Sequence, residues 1–165
     1  MEPQITPFIE TLDLLHEDIF KAVEPLSDDE INWRHPHLKN TVGILLRHVA
    51  GSERYWIIEV VGGKSINRKR DEEFGKDRLQ KALLVDNLRK AHGEVKAALE
   101  SLTARQLLEE VEHIYRDIPR RITKSWAVLH SLTHTSYHLG QIQLFSKMAA
   151  KGAAEQLQPQ RQGSI

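Results

Sequence analysis

Residues 130–145 have the sequence HSLTHTSYHLGQIQLF, in which His130, His134 and His138 are spaced four residues apart. A spacing of four places side chains on one face of an α-helix, because each residue turns the helix by about 100°. The same face continues through Ala127, Gln141, Phe145 and Met148. Because most of this face is apolar, we expect the imidazole rings to point into the protein, where each buried ring needs a polar partner.

A metal ion is one such partner, and hydrogen-bonding side chains are the alternative. Two histidines at i and i+4 can bind one ion, but His130 and His138 are about 12 Å apart along a helix axis and cannot share it. The pair is therefore either His130 with His134 or His134 with His138, and a third ligand must come from another helix. His48 is the candidate. Three neutral histidines leave coordination positions open, which is typical of a reactive metal site.

The predicted helix around His48 also supplies candidates for a pocket beside the ion. Ser52 and Tyr55 follow His48 by one and two turns on a largely apolar face. Gln141 belongs to the same group, because it shares the histidine-bearing face of the other helix. Apolar walls with a few polar groups are typical of small-molecule sites, so we expect a small-molecule substrate. The other histidines are expected at the surface or in loops: His16, His35, His37, His92 and His113. His16 is the exception to watch, because it borders the apolar face of the first helix.

Apolar residues recur at spacings of three and four in four segments, which predicts an all-α, four-helix bundle. The predicted helices run from Thr6 to before Pro25, from Asn40 or Thr41 to about Val61, from a capping box at 77–80 to about Leu102, and from about Lys124 to Ala150. Short capped turns are predicted at 27–30 and 103–106, a polar loop at 64–76, and an irregular segment at 111–122. We expect a single domain over residues 1–150 and a flexible C-terminal tail over 151–165.

Composition excludes several classes of chemistry. The 165-residue chain has 23 basic and 23 acidic residues and no cysteine. The absence of cysteine excludes disulfides, a cysteine nucleophile and cysteine-bound metal, so any thiol must come from outside the chain. The balanced charge argues against nucleic-acid or membrane-surface binding. No apolar run is long enough to span a bilayer, and the N-terminus lacks a signal-peptide pattern, so we expect a cytoplasmic protein.

Two segments resemble the DinB-like superfamily of damage-inducible bacterial proteins, which includes thiol-dependent S-transferases. One is NTVGILLRHVAG at 40–51, followed by Glu53 and Trp56, and the other is HTSYHLGQI at 134–142, which is similar to the family's H-x3-H-x-G-Q-I signature. The resemblance covers about residues 5–150. It implies a four-helix bundle with one divalent metal ion, zinc or nickel, and often a homodimer.

Carried over to this sequence, the family pattern implies His48, His134 and His138 as metal ligands, with His130 beside the pocket. The function that the resemblance implies is a metal-dependent transfer of a low-molecular-weight thiol to a small electrophile. Two alternatives stay open. The same ion could activate water for hydrolysis, or the bundle could bind metal or a partner without catalysis.

A homodimer is also expected from the fourth helix itself. Opposite the histidines the helix carries a second apolar face, formed by Val128, Leu129, Leu132 and Leu139. A bundle helix with one buried face should be polar on the other, so two apolar faces indicate packing on both sides. A two-fold contact would cover this face. The alternative is that a neighbouring helix or the 103–122 segment covers it.

Overall fold

The computed structural model describes residues 2–75, 77–115 and 118–157, and for residues 115 and 153–157 only the backbone. In chain order the elements are α1 (Thr6–Val23), α2 (Asp28–Asn32), α3 (Val42–Glu53), a π-helical continuation of α3 (Arg54–Val61), α4 (Arg70–Glu73), α5 (Lys81–Glu100), α6 (Ala104–Leu107), β1 (Glu110–Tyr115), β2 (Ile118–Thr123) and α7 (Lys124–Leu157). Within the described ranges, α1, α3 with its continuation, α5 and α7 are the long helices. The predicted four-helix bundle is therefore confirmed.

The bundle core is divided along its length. One apolar cluster includes Leu12, Trp56 and Leu132, and the other includes Ile19, Val49 and Ile142. All four long helices contribute to both clusters. Between the two clusters these helices carry polar residues that are buried or half-buried: His16, Ser52, Glu53, His92, His134 and Thr135. The break in the apolar core places polar groups at mid-height, where the histidines lie.

Side-chain capping explains several helix starts. The Thr41 hydroxyl accepts the Ile44 N–H at the start of α3, and the predicted capping boxes at Ser27 and Thr103 form. The predicted box at 77–80 does not form, and α5 begins at Lys81 without a side-chain cap. Within this segment the backbone of Leu79 is bonded to the side chain of Asn32. Asn32 Nδ2 donates to the Leu79 carbonyl at 2.7 Å, and the Leu79 N–H donates to Asn32 Oδ1 at 2.9 Å.

Two segments predicted to be irregular contain regular structure. Residues 111–115 and 118–122 lie in two antiparallel strands, in which Glu110 pairs with Thr123 and Tyr115 with Ile118. Along β2 most side chains are exposed, and Ile122 is buried against the bundle. A hairpin with so little buried surface has a weak alternating pattern. The predicted loop at 64–76 contains the short helix α4.

Helix α7 ends later than predicted, and its packing bears on the predicted second apolar face. It extends to Leu157, so residues 151–157 are helical, and the rest of the predicted tail, 158–165, lies outside the described residues. The predicted second apolar face is mostly covered by the chain itself, because Val128, Leu132 and Leu139 are buried while Leu129 is exposed. In the part of the chain that the structure describes, no helix has the length and apolar character to cross a membrane.

Candidate metal centre

Helices α3 and α7 bring three histidines into contact. His48 Nε2 lies 3.3 Å from His134 Nε2, and His138 Nε2 lies 3.2 Å from the same atom. One ligand atom from each residue lies within 4.8 Å of the other two, an arrangement that could hold a metal ion. His134 and His138 are one turn apart on α7, and His48 faces them across the bundle. Of the two i, i+4 pairs considered from the sequence, the structure therefore brings His134 and His138 to His48.

The outer nitrogens of two rings are held by acceptors. His48 Nδ1 lies 2.8 Å from a carboxylate oxygen of Glu73, and His138 Nδ1 lies 2.7 Å from the amide oxygen of Gln141. An oxygen acceptor requires an N–H donor, so the hydrogen-bond network assigns the proton of each neutral ring to Nδ1. Each Nε2 therefore presents a lone pair to the centre of the site.

His134 cannot be satisfied by these neighbours. Its Nδ1 is buried and has no hydrogen-bond partner among the described residues. Its Nε2 faces two lone pairs, and a neutral imidazole has one N–H, which could meet one of them at most. No proton arrangement of neutral rings satisfies the cluster. A divalent cation accepts lone pairs from all three Nε2 atoms, so the donor set fits a metal ion.

The electrostatics of the cluster favour neutral ligands. Burial first, and then the proximity of His138 and His48, lower the pKa of His134 to about 3. Burial also lowers the pKa of His138, although the Gln141 hydrogen bond opposes this effect. The neutral form is the one that binds a metal, and near pH 7 both rings are neutral.

Glu73 was not predicted from the sequence. It lies on α4 and is buried, and both of its carboxylate oxygens bind Arg68, at 2.6 and 2.8 Å. Burial alone would raise the pKa of Glu73, but the hydrogen bonds from Arg68 and His48 and the charge of Arg68 outweigh it, so the pKa is lowered. The residue follows a basic run and precedes α5 in a highly charged segment, so its sequence pattern is that of a solvated surface. The one sequence feature that could have indicated it is Gly51, one turn after His48, because a glycine in a helix can mark a place where another group comes close to the backbone.

The four pocket candidates lie in different surroundings. Gln141 contacts His138, as described above. The His130 ring stacks on Trp126 with a centroid distance of 5.0 Å and meets the Trp56 ring edge-on at 4.5 Å, and it lies 6.2 Å from the His134 ring. Their roles stay predictions.

The other two candidates lie on α3 and its continuation. Tyr55 packs under the Arg68 guanidinium, and its hydroxyl lies 3.4 Å from His113 Nδ1. Ser52 is buried one turn after His48.

Two of the histidines expected at the surface are internal. His16 is fully buried against Glu53, and the half-buried His92 ring stacks on it at a centroid distance of 4.3 Å. His113 lies on β1 against the Trp56 ring. The expectation failed because a histidine at the edge of an apolar face becomes buried when a hydrogen-bonding partner lies opposite it. A partner on another helix cannot be identified from the local sequence.

The fold and the site together define a class: helical bundles that can hold a divalent metal ion between histidines of two helices. The family model of the DinB superfamily matches residues 11–142. The chain therefore belongs to the DinB superfamily. No curated protein sequence matches it.

Solved structures share the fold. A conserved protein from Enterococcus faecalis superposes with a TM-score of 0.69 and 18% identity, covering 92% of this chain and 99% of that one. YfiT from Bacillus subtilis, described as a probable metal-dependent hydrolase with an unusual four-helix bundle topology, has a TM-score of 0.68 and 20% identity, covering 91% and 90%. At these identities the likeness concerns the fold.

Proposed function

We propose that this protein is a divalent-metal-dependent enzyme that uses His48, His134 and His138 as ligands and acts on a small molecule. The observation that carries the proposal is the convergence of three Nε2 atoms around His134, whose ring the described residues leave unsatisfied. Zinc and nickel are the proposed ions, because imidazole suits both. Three protein ligands leave positions for a substrate.

The proposed reaction is transfer of an exogenous low-molecular-weight thiol to a small electrophile. A bound divalent ion lowers the pKa of a thiol or of water and so supplies a nucleophile at neutral pH. The chain has no thiol of its own. Its three neutral imidazoles leave the charge of the ion uncompensated, which favours an anionic nucleophile such as a thiolate.

The residues around the site have complementary parts in this proposal. Glu73 and Gln141 hold two of the ligand rings through their Nδ1 atoms. Trp56, Trp126 and His130 form an aromatic cluster that begins one helical turn from His134. Aromatic faces of this kind pack against planar or apolar groups, so we place the electrophile on that side of the ligands.

Hydrolysis is the second candidate. The structural likeness to YfiT, described as a probable metal-dependent hydrolase, favours it. The two reactions differ in one requirement: a thiol is consumed in transfer and is irrelevant in hydrolysis. A bundle that binds metal without turnover is the remaining alternative.

One assay separates these possibilities. A panel of physiological thiols is incubated with a chromogenic electrophile and the protein, in its metal-loaded form and after chelation. We expect one thiol to be consumed faster than with free metal, and the rate to be lost on chelation and in His48→Ala. His37→Ala, at an exposed loop histidine, is the matched control and should keep the rate. Cleavage of ester substrates without a thiol requirement would favour hydrolysis, and no turnover in either assay would favour the non-catalytic bundle.

A further inference from the structure

The segment between the π-helical continuation and α5 covers one side of the metal centre. Its short helix α4 carries Glu73, which reaches His48 Nδ1 at 2.8 Å, and the next residue, Phe74, places its ring 4.9 Å from the His48 ring. Both side chains come from a segment outside the long helices of the bundle. One side of the His48 ring is thus covered by the connection between the π-helical continuation and α5.

Two arginines hold Glu73 in place, and one of them ties the connection to α3. Arg47 donates from Nε to the backbone oxygen of Glu73 at 2.8 Å and from Nη2 to that of Gly75 at 3.3 Å. Arg68 donates to both carboxylate oxygens of Glu73. Backbone and side chain of Glu73 are therefore held by separate groups, one on the ligand helix and one on the connection itself.

Helix α3 leaves space for this carboxylate. A Cβ at Gly51 would lie 2.2 Å from Glu73 Oε1 and 2.8 Å from Glu73 Cδ, far inside van der Waals contact. A mid-helix glycine costs up to about 1 kcal/mol relative to alanine. The close approach of the Glu73 carboxylate therefore explains why a residue without a side chain stands at position 51.

From these contacts we infer that Glu73 is a positioning residue for the metal centre, held in place by Arg68 and by the space at Gly51. By accepting the Nδ1–H of His48, Glu73 fixes the tautomer in which Nε2 carries the lone pair, and it stops rotation of the ring. The ligand is thereby prepared before a metal arrives. This inference rests on the metal site of the proposed function and adds that metal retention depends on residues 68–73 as well as on the ligand helices.

The consequence is measurable in the affinity for metal. Outer partners of metal-binding histidines typically contribute 10- to 100-fold to affinity. Glu73→Ala should weaken zinc binding within that range, whereas Glu73→Gln should lose less, because the amide oxygen can still accept the Nδ1–H. Gly51→Ala should weaken binding without removing any polar group, by displacing the carboxylate.

The experiment uses the full-length chain with zinc as the probe. Zinc dissociation constants are measured by competition with a chromogenic chelator for wild type, Glu73→Ala, Glu73→Gln and Gly51→Ala. Gly93→Ala is the matched control, because a Cβ there meets nothing within 4 Å among the described residues. Circular dichroism of each chelated variant reports whether the bundle is folded. Wild-type affinity in both Glu73→Ala and Gly51→Ala would overturn the inference.

A second readout separates this inference from the proposed function. Nitrogen-15 NMR of the chelated protein reports the tautomer of His48. We expect the Nδ1–H form in wild type and in Glu73→Gln, and a mixture in Glu73→Ala. Should wild type fail to bind zinc, the proposed function falls, while the tautomer measurement still decides the role of Glu73. An unchanged tautomer in Glu73→Ala contradicts that role whether or not zinc binds.

Discussion

His134 is the residue whose chemistry is least satisfied by the protein alone. Its Nε2 contacts His48 and His138, and its Nδ1 is buried without a described partner. Periodicity on α7 predicted the face that carries it. It could not choose between the two possible histidine pairs, because the choice depends on the residue that lies opposite on α3. The family resemblance implied His48 with His134 and His138, and these are the three that the structure brings together.

Removing a ligand should affect the protein differently from removing a neighbour. His138→Ala deletes one of three proposed donors, so we expect a loss of zinc affinity larger than the 10- to 100-fold typical of outer partners. His130→Ala, one turn beyond His134, should leave affinity within a few-fold of wild type. Competition with a chelator measures both. The reverse ranking would show that the pair on α7 is His130 with His134.

Acid should destabilise the metal-free protein before carboxylates titrate. The pKa of His134 falls from 6.5 in the unfolded chain to about 3 in the folded protein, so the unfolded state binds more protons between these values. The contribution of neutral His134 to the free energy of unfolding is therefore fully present above pH 6.5 and is lost as pH falls. By pH 5 the loss from His134 is at most about 2 kcal/mol. Urea unfolding of chelated protein from pH 7.5 to 5 measures this, and His134→Leu should flatten the profile. An equal slope in the variant would contradict the assignment.

At the scale of elements, a buried polar network ties the long helices together at mid-height. His16 Nε2 on α1 lies 2.9 and 3.0 Å from the two oxygens of Glu53 on α3, and the Thr135 hydroxyl on α7 donates to the same carboxylate at 2.8 Å. From α5, His92 stacks on His16 and bonds Asp13 at 2.7 Å. These contacts align α3 with α7, the two helices that carry the three clustered histidines.

Loss of the Glu53 carboxylate should cost far more than loss of one hydrogen bond to it. Glu53→Ala leaves His16 and Thr135 buried without their acceptor, and we expect about 3–5 kcal/mol of lost stability. Thr135→Val removes one hydrogen bond and should cost about 1 kcal/mol. Urea unfolding of the chelated protein measures both. Glu17→Ala, which removes an exposed ion pair with Lys21, is the control and should change stability by at most about 0.5 kcal/mol. A Glu53→Ala cost no larger than this control would show that the network is not structural.

The sequence predicted a helix or turn correctly where apolar residues recur at helical spacing over a long segment, or where a capping residue marks the start. The four long helices and the capped turns at Ser27 and Thr103 belong to this group. The hairpin, α4 and the start of α5 do not, because each is fixed by contacts distant in sequence. Ile122 anchors the hairpin to the bundle, Arg47 holds the α4 connection, and Asn32 holds the residues before α5. Glu53 was noted only as part of a motif, since its partners lie on α1 and α7.

At the scale of the whole molecule, the outer face of α7 supports the proposal of a homodimer. Leu129, Tyr137 and Leu144 each expose more than half of their surface, and small side chains lie between them, including Gly140. A Cβ at Gly140 would meet nothing within 4 Å among the described residues, so a second helix could approach closely there. We propose that a second copy of the chain packs on this face with two-fold symmetry.

A charge on this face should dissociate the dimer without unfolding the bundle. Leu129→Glu should sediment as a monomer at micromolar concentration, whereas wild type sediments as a dimer. Leu14→Glu, at a similarly exposed leucine of α1, is the control and should remain dimeric. A wild-type monomer at high micromolar concentration would show that α7 is not an interface between copies.

Metal content of the purified protein tests the histidine centre itself. Protein produced without an affinity tag is analysed for zinc, nickel and other divalent metals, as purified and after reconstitution and desalting. We predict close to one divalent ion per chain in wild type, and a much lower content in His48→Ala treated in the same way. A wild-type protein that is folded, yet retains no stoichiometric metal even after reconstitution, would contradict the metal centre formed by His48, His134 and His138.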